Sequence, residues 1–78
     1  MNDTTNPRTE KRFYDHKTEE TMRRFYNSLN EKDRRRYAGV EALKIGRGGH
    51  RYIAEVLGCN RRTVSKGVNE VANLPKKS

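Results

Sequence analysis

The stretch GHRYIAEVLGCNRRTVSKGVNEV, residues 49 to 71, decides the fold. Its spacing of apolar residues predicts two short helices separated by Gly58-Cys59-Asn60. In the first half the apolar residues recur at helical intervals, and Arg51 and Glu55 lie on the opposite side. Gly58 follows the last periodic residue, where a left-handed helix exit favours glycine because glycine has no Cβ. The apolar set is Ile53, Ala54, Val56 and Leu57.

The second half of the stretch has the start signal of a new helix. Asn60 is a suitable N-cap, because its side-chain oxygen can accept an amide N–H from the first turn. We therefore expect a helix from Arg61 to about Val71 with valines along its buried side. A connection of about three residues between two helices is typical of a helix-turn-helix, in which a small residue, here Ala54, lies where the two helices cross.

The side of this second helix opposite the valines carries side chains that can recognise DNA. Arginine can donate to both O6 and N7 of guanine, asparagine can pair with adenine, and a helix N-terminus suits a phosphate. A simple solvated face is the alternative interpretation of such residues. The residues that we expect to contact bases are Arg62, Ser65, Lys66 and Asn69.

Two further helices are expected before this motif. Thr18 as a cap and a period of three to four predict a helix over about 19 to 28, and Asn30 as a cap predicts a second over 31 to 45, ended by Gly46. We expect both apolar faces to be buried. These faces comprise Met22, Phe25, Tyr26 and Leu29 in the first helix and Tyr37, Val40, Leu43 and Ile45 in the second.

The chain divides into an arm, one small domain and a short end. Residues 1 to 17 are polar and aperiodic, which predicts a disordered arm, with docking of Phe13 and Tyr14 on the domain as the alternative. Residues 18 to 73 form the expected all-α domain of three or four helices. Residues 74 to 78 are expected to be a tail or a linker.

Composition points to a polyanionic partner. The 78 residues are 31% hydrophobic and 36% charged, with a net charge of +8 and a pI near 10.1. Residues 50 to 78 carry six basic and two acidic groups, whereas residues 1 to 29 carry six and five. The positive excess therefore increases toward the expected helix-turn-helix, as in proteins that bind nucleic acid.

Several classes of protein are disfavoured. No stretch approaches the roughly 20 apolar residues that span a bilayer, so we expect a cytoplasmic protein without a membrane partner. His50 and Cys59 lack the spacing of a zinc site, and Cys59 is expected to pack in the core. No glycine-rich nucleotide loop and no nucleophile with a base are recognisable. We therefore expect no metal, no cofactor, no small-molecule substrate and no enzymatic activity.

A family resemblance covers about residues 19 to 72. Its motifs are E-K-D-R-R at 31 to 35, G-x-G-G at 46 to 49, and T-V-x-K-G-V-x-E at 63 to 70. With these motifs the chain resembles the N-terminal DNA-binding region of Rhodopirellula-type insertion-sequence transposases, whose catalytic part is a DDE domain. The resemblance implies that Gly67, which costs about 1 kcal/mol against alanine inside a helix, permits a close backbone approach.

The resemblance implies that the target is double-stranded DNA, at the terminal inverted repeats of a transposon. A DDE domain needs far more residues than this chain has, so the chain would be a transposase fragment or a remnant. The alternatives are a free-standing regulator that acts as a homodimer, a basic protein-interaction module, and RNA binding. The residues that we expect to contact DNA phosphates are Arg61, His50, Arg51, Thr63, Arg34, Arg35 and Arg36.

Overall fold

The computed structural model describes residues 12 to 75, and all regular secondary structure in that range is helical. The four helices are α1 His16–Ser28, α2 Glu31–Ile45, α3 Gly49–Leu57 and α4 Arg61–Ala72. The expected all-α fold is confirmed, with four helices rather than three.

The ends of the helices follow the local signals in the sequence. Asn30 caps α2, since its side-chain oxygen accepts from the amide of Asp33 at 2.9 Å. Asn60 caps α4 in the same way, with the amide of Thr63 at 3.0 Å. Gly46 ends α2 with a φ of 82°, a conformation that favours glycine. These three predictions are confirmed because each depends on contacts within one turn.

The start of α1 differs from the prediction. The helix begins at His16 and not at residue 19, because Asp15 rather than Thr18 is the N-cap, and its Oδ1 accepts from the Thr18 amide at 2.9 Å. The predicted disordered arm, residues 1 to 17, is therefore wrong for residues 12 to 17. The rest of that arm, and residues 76 to 78 of the predicted tail, lie outside the described residues.

The residues before α1 are held by a buried carboxylate. Glu19 is almost fully buried and accepts two hydrogen bonds from the Arg12 guanidinium, at 3.0 and 3.1 Å. The Tyr52 hydroxyl of α3 donates to the same carboxylate at 2.5 Å and accepts from the Tyr14 amide at 3.0 Å. Phe13 packs edge-on against the Tyr52 ring. The alternative prediction, that Phe13 and Tyr14 dock on the domain, is therefore confirmed.

We expect the Tyr52 phenol to lose its proton only at high pH. Burial, followed by its hydrogen bond to Glu19, raises the pKa of Tyr52 from 10.0 to about 12. The protonated Tyr52 phenol stabilises the folded state fully below its unfolded pKa near 10, and this stabilisation is lost as the pH rises through 12. Phenolate absorbance of the wild type and of Tyr52→Phe should differ by a titration step near 12. If Tyr52→Phe instead removes a titration step near pH 10, this assignment is contradicted.

The core contains one face from each helix, but not every face is the predicted one. Phe25, Val40 and Leu43 are 50%, 44% and 51% exposed, so their expected burial is wrong. In α2 the small residues Ala38 and Ala42 are buried instead, because α3 and α4 approach α2 too closely for larger side chains. The buried apolar residues are Met22, Tyr26, Ala38, Ala42, Tyr52, Ile53, Ala54, Val56, Leu57 and Val64.

The closest backbone approach joins α2 and α4, which share the most extensive helix contact of the domain. A Cβ on Gly67 would overlap the Arg35 carbonyl oxygen, and a Cβ on Gly39 would lie 2.5 Å from the Gly67 carbonyl oxygen. The close approach expected at Gly67 is confirmed. The sequence indicated a close contact at Ala54 between the last two helices. Ala54 is buried, but the tightest crossing is at the two glycines.

Candidate nucleic-acid interface

The turn between α3 and α4 sets the position of α4. Gly58 adopts the left-handed conformation, with φ 76° and ψ 34°. The Ala54 carbonyl oxygen accepts from the amides of Gly58 and Cys59, at 2.9 and 3.0 Å, which closes the end of α3. Together with the Asn60 cap, this gives the three-residue connection predicted for a helix-turn-helix. Cys59 is half-buried against the core, as expected, and burial raises the pKa of its thiol.

One side of α4 is anchored inside the domain. Val64 is completely buried, Val68 and Val71 are half-buried, and the Gly67 backbone contacts α2. The predicted valine stripe is therefore confirmed, with Gly67 as an additional member. Because a helix turns by about 100° per residue, this anchoring fixes which α4 residues point outward.

The outward side of α4 is exposed and unpaired. The side chains of Arg62, Ser65 and Asn69 are exposed, and none has a hydrogen bond or ion pair within residues 12 to 75. These three residues lie close together at helical spacing, and the expectation that they point away from the core is confirmed. Free donors on a rigid helix are the groups that base recognition requires.

Lys66 also lies on the outward side of α4, about 40° around the helix from Arg62. It borders a polar groove of about 300 Å³ between α4 and the start of α2. Its ammonium group has no partner among the described residues, so it adds an uncompensated positive charge to the groove. A lysine beside the guanidinium groups of Arg34 and Arg35 suits a phosphate better than a base. The groove is lined by Tyr26, Glu31, Arg34, Arg35, Thr63 and Lys66.

Arg34 is held in place by the end of α1. Its Nε and Nη2 atoms donate to the carbonyl oxygens of Tyr26 and Asn27, at 3.1 and 3.0 Å. The guanidinium also lies 5.5 Å from the centre of the Tyr26 ring. These carbonyl groups belong to the last turn of α1, where no amide four residues further on lies within the helix to donate to them. The Tyr26 carbonyl oxygen also accepts from the Leu29 amide, at 3.1 Å. The charge of Arg34 is not cancelled by these neutral partners.

Arg35 and Arg36 share one carboxylate. Arg35 Nη2 lies 3.0 Å from Glu70 Oε2, and Arg36 Nε lies 3.3 Å from Glu70 Oε1. The hydrogen bond from Arg35 is the main cause that lowers the pKa of Glu70. The three arginines of the run 34 to 36, all expected at phosphates, thus have internal partners, which sequence reasoning missed. No local pattern in the sequence indicates these pairs, because Glu70 lies at least 34 residues along the chain from both arginines.

The remaining predicted phosphate contacts surround the start of α4. Arg51 and Arg61 are exposed and line a shallow groove of about 430 Å³ between α3 and α4. His50 is half-buried in the first turn of α3. Thr63 is also half-buried, with its hydroxyl donating to Asn60 Oδ1 at 3.2 Å.

One further cation was not predicted. Arg47 is exposed in the glycine turn before α3, and it has no partner within residues 12 to 75. Its position between Gly46 and Gly48 is the signal that could have indicated it, since a side chain in a surface turn is free to reach a ligand. It places an additional positive charge next to the N-terminus of α3.

Comparisons of the chain with protein-family models, with curated proteins and with solved structures gave no match. The resemblance to a transposase region therefore stays a prediction. Within residues 12 to 75, no three His, Cys, Asp or Glu side chains are grouped closely enough to hold a metal ion. No helix in that range has the length and apolar character to cross a membrane.

Proposed function

We propose that this domain binds double-stranded DNA, with α4 in the major groove. One observation carries the proposal: α4 is fixed on one side by the Gly67 backbone contact, while its opposite side presents Arg62, Ser65 and Asn69 without internal partners. A rigid helix with free donors is suited to base recognition. The net charge of +8 supports the same conclusion, since DNA is a polyanion.

The proposed roles follow from position. Arg62, Ser65 and Asn69 contact base edges, since they lie on the outward side of α4 and have no internal partners. Lys66 contacts a phosphate rather than a base, because it borders the polar groove that also contains Arg34 and Arg35. The other proposed phosphate contacts are Arg47, His50, Arg51, Arg61, Thr63, Arg34, Arg35 and Arg36.

The division between base and phosphate contacts is testable with single variants. We expect Arg62→Ala to cost about 1 to 3 kcal/mol on the preferred sequence and to relax the preference there. Arg51→Ala and Lys66→Ala should weaken binding to all duplexes alike. Selection from random duplexes followed by affinity measurements on the selected and a scrambled site gives both quantities.

Two outcomes would contradict these assignments. An equal loss on selected and scrambled duplexes for Arg62→Ala would remove its role in base recognition. Failure of the wild-type chain to select any sequence, with no affinity for duplex DNA, would overturn the proposed function as a whole. Lys66→Ala serves as the internal control, because it removes one positive charge from the same helix.

The resemblance to transposase DNA-binding regions supports a role in recognising transposon ends in the bacterial cytoplasm, with no catalytic step assigned to this chain. A free-standing regulator is the second candidate function. The coding sequence next to this one separates the two, since a downstream frame with the three catalytic carboxylates favours the transposase module.

A further inference from the structure

The polar groove between the start of α2 and α4 collects positive charge, and we call it the α2–α4 groove. Its volume is about 300 Å³. Its lining includes Arg34 and Arg35 from α2 and Lys66 from α4, together with the carboxylate of Glu31. Among the described residues that line it, positive groups therefore outnumber negative ones. A groove of this size and charge is suited to a small anion.

Arg34 is held in place before any ligand arrives. Its Nε and Nη2 atoms donate to the carbonyl oxygens of Tyr26 and Asn27. Carbonyl groups are neutral, so the guanidinium retains its positive charge. The third nitrogen, Nη1, has no partner within residues 12 to 75. Arg34 can therefore donate from this nitrogen to an anion and keep the contacts that hold it.

Glu70 holds Arg35 in a similar way. Arg35 donates from Nε and from Nη2 to Glu70 Oε2, both at 3.0 Å, while Oε1 accepts from Arg36 at 3.3 Å. The hydrogen bond from Arg35 is the main cause that lowers the pKa of Glu70, so this carboxylate is ionised at neutral pH. Glu70 does not line the groove, and it leaves the space beside Arg35 open. One carboxylate between two arginines leaves one net positive charge there.

Cations that are already held in place suit a phosphate better than mobile ones. A side chain that is ordered only on binding loses conformational freedom at that moment, whereas Arg34 and Arg35 are ordered by internal contacts. The planar guanidinium group also matches the spacing of phosphate oxygens. Lys66 has no partner within the described part of the chain and can approach from α4. Because a phosphate is tetrahedral, it can accept from both helices at once.

We propose that the α2–α4 groove is a preformed site for one phosphate group, between the two arginines of α2 and Lys66 of α4, and that Glu70 is its positioning residue. In a complex with DNA this group is a phosphodiester of the backbone, an identification that rests on the proposed function. The site itself does not rest on it, since an inorganic phosphate ion presents the same oxygens to the groove.

Titration of the wild-type chain with inorganic phosphate, followed by NMR, tests the site without DNA. The Nε–H signals of Arg34 and Arg35 and the amide signal of Lys66 should shift and saturate in the millimolar range. Chloride at the same ionic strength should not reproduce these shifts, because screening alone has no preferred position. If phosphate causes no saturable shift at these groups, the proposal is overturned.

Two neutral variants test the positioning role of Glu70. Glu70→Gln and Glu31→Gln each remove one negative charge, so charge alone predicts that both bind phosphate more tightly. Glu31 lines the groove and has no partner within residues 12 to 75, so Glu31→Gln should tighten binding about two- to threefold. Glu70→Gln should instead weaken binding about tenfold, because Arg35 is no longer fixed by a charged partner. Both variants are measured with inorganic phosphate and with a duplex.

The signs of the two changes decide the outcome. If Glu70→Gln tightens binding as Glu31→Gln does, Glu70 only repels the ligand and its positioning role is overturned. If circular dichroism shows that Glu70→Gln is unfolded, Glu70→Asp replaces it, since the shorter side chain keeps the charge and should also weaken binding. A chain that binds inorganic phosphate in the groove but has no affinity for a duplex supports the site and overturns the proposed function.

Discussion

Replacing Gly67 with alanine is expected to lower the free energy of unfolding by about 3 kcal/mol or more, enough to unfold much of a domain this small. The new Cβ would overlap the Arg35 carbonyl oxygen and would lie 2.8 Å from its carbonyl carbon. Both are backbone atoms of α2, so no side chain can rotate away. The only relief is to separate α2 from α4, across the largest helix contact of the domain.

The sign of this effect distinguishes tertiary packing from helix propensity. At an exposed helical site the same substitution would stabilise the protein by about 1 kcal/mol. Denaturant unfolding followed by circular dichroism measures the difference. Ser65→Ala is the matched control, since Ser65 is exposed on the same helix, and a change within about 0.5 kcal/mol is expected there. A Gly67→Ala variant as stable as the wild type would mean that the helices are not in backbone contact.

The second large effect is the salt dependence of DNA binding. If about six phosphates are contacted, the affinity should fall by about 10³ to 10⁵ between 50 and 200 mM salt, because binding releases condensed counterions. The unpaired cations near α3 and α4 can supply most of these contacts. Fluorescence anisotropy with a labelled duplex at several salt concentrations gives the slope. These cations are Arg47, Arg51, Arg61 and Lys66.

A pair of variants locates the charges that matter. Arg51→Ala should reduce the salt slope by about one, since it removes one phosphate contact. Lys44→Ala removes one positive charge that is already paired with Glu41, and it should leave the slope unchanged. A flat salt profile for the wild type would contradict DNA binding and would favour a basic module that binds an acidic protein.

The two glycines at the α2–α4 crossing connect stability with the proposed function. Gly67 weakens α4 as an isolated helix, but it permits the backbone contact that fixes the rotation of α4. The rotation decides whether Arg62 and Asn69 point outward. A substitution at Gly67 is therefore expected to impair DNA binding without touching any residue of the outward side.

The sequence by itself determined the helices and most of their ends. The caps at Asn30 and Asn60 and the helix-ending glycines with positive φ, Gly46 and Gly58, are all present. Each depends on groups within about one helical turn, so the local sequence contains all the information needed. The one shifted end arose because Asp15, three residues before Thr18, is the cap, and not from tertiary structure.

The sequence by itself determined only part of the candidate site. The outward position of Arg62 and Asn69 follows from the period of α4 and its valines, which the sequence shows directly. The ion pairs of Arg35 and Arg36 with Glu70 do not follow from any local pattern, because Glu70 is 34 or more residues away along the chain. No local pattern indicates an ion pair across that separation.

Only the tertiary structure decided which residues of α1 and α2 are buried. Apolar character predicted Phe25, Val40 and Leu43 inside, whereas the core takes the smaller Ala38 and Ala42. Burial depends on how closely the neighbouring helices approach, and here the crossing at Gly39 and Gly67 brings α4 into backbone contact with α2. Close packing then selects side chains by size at the contact, and the larger apolar residues remain on the surface.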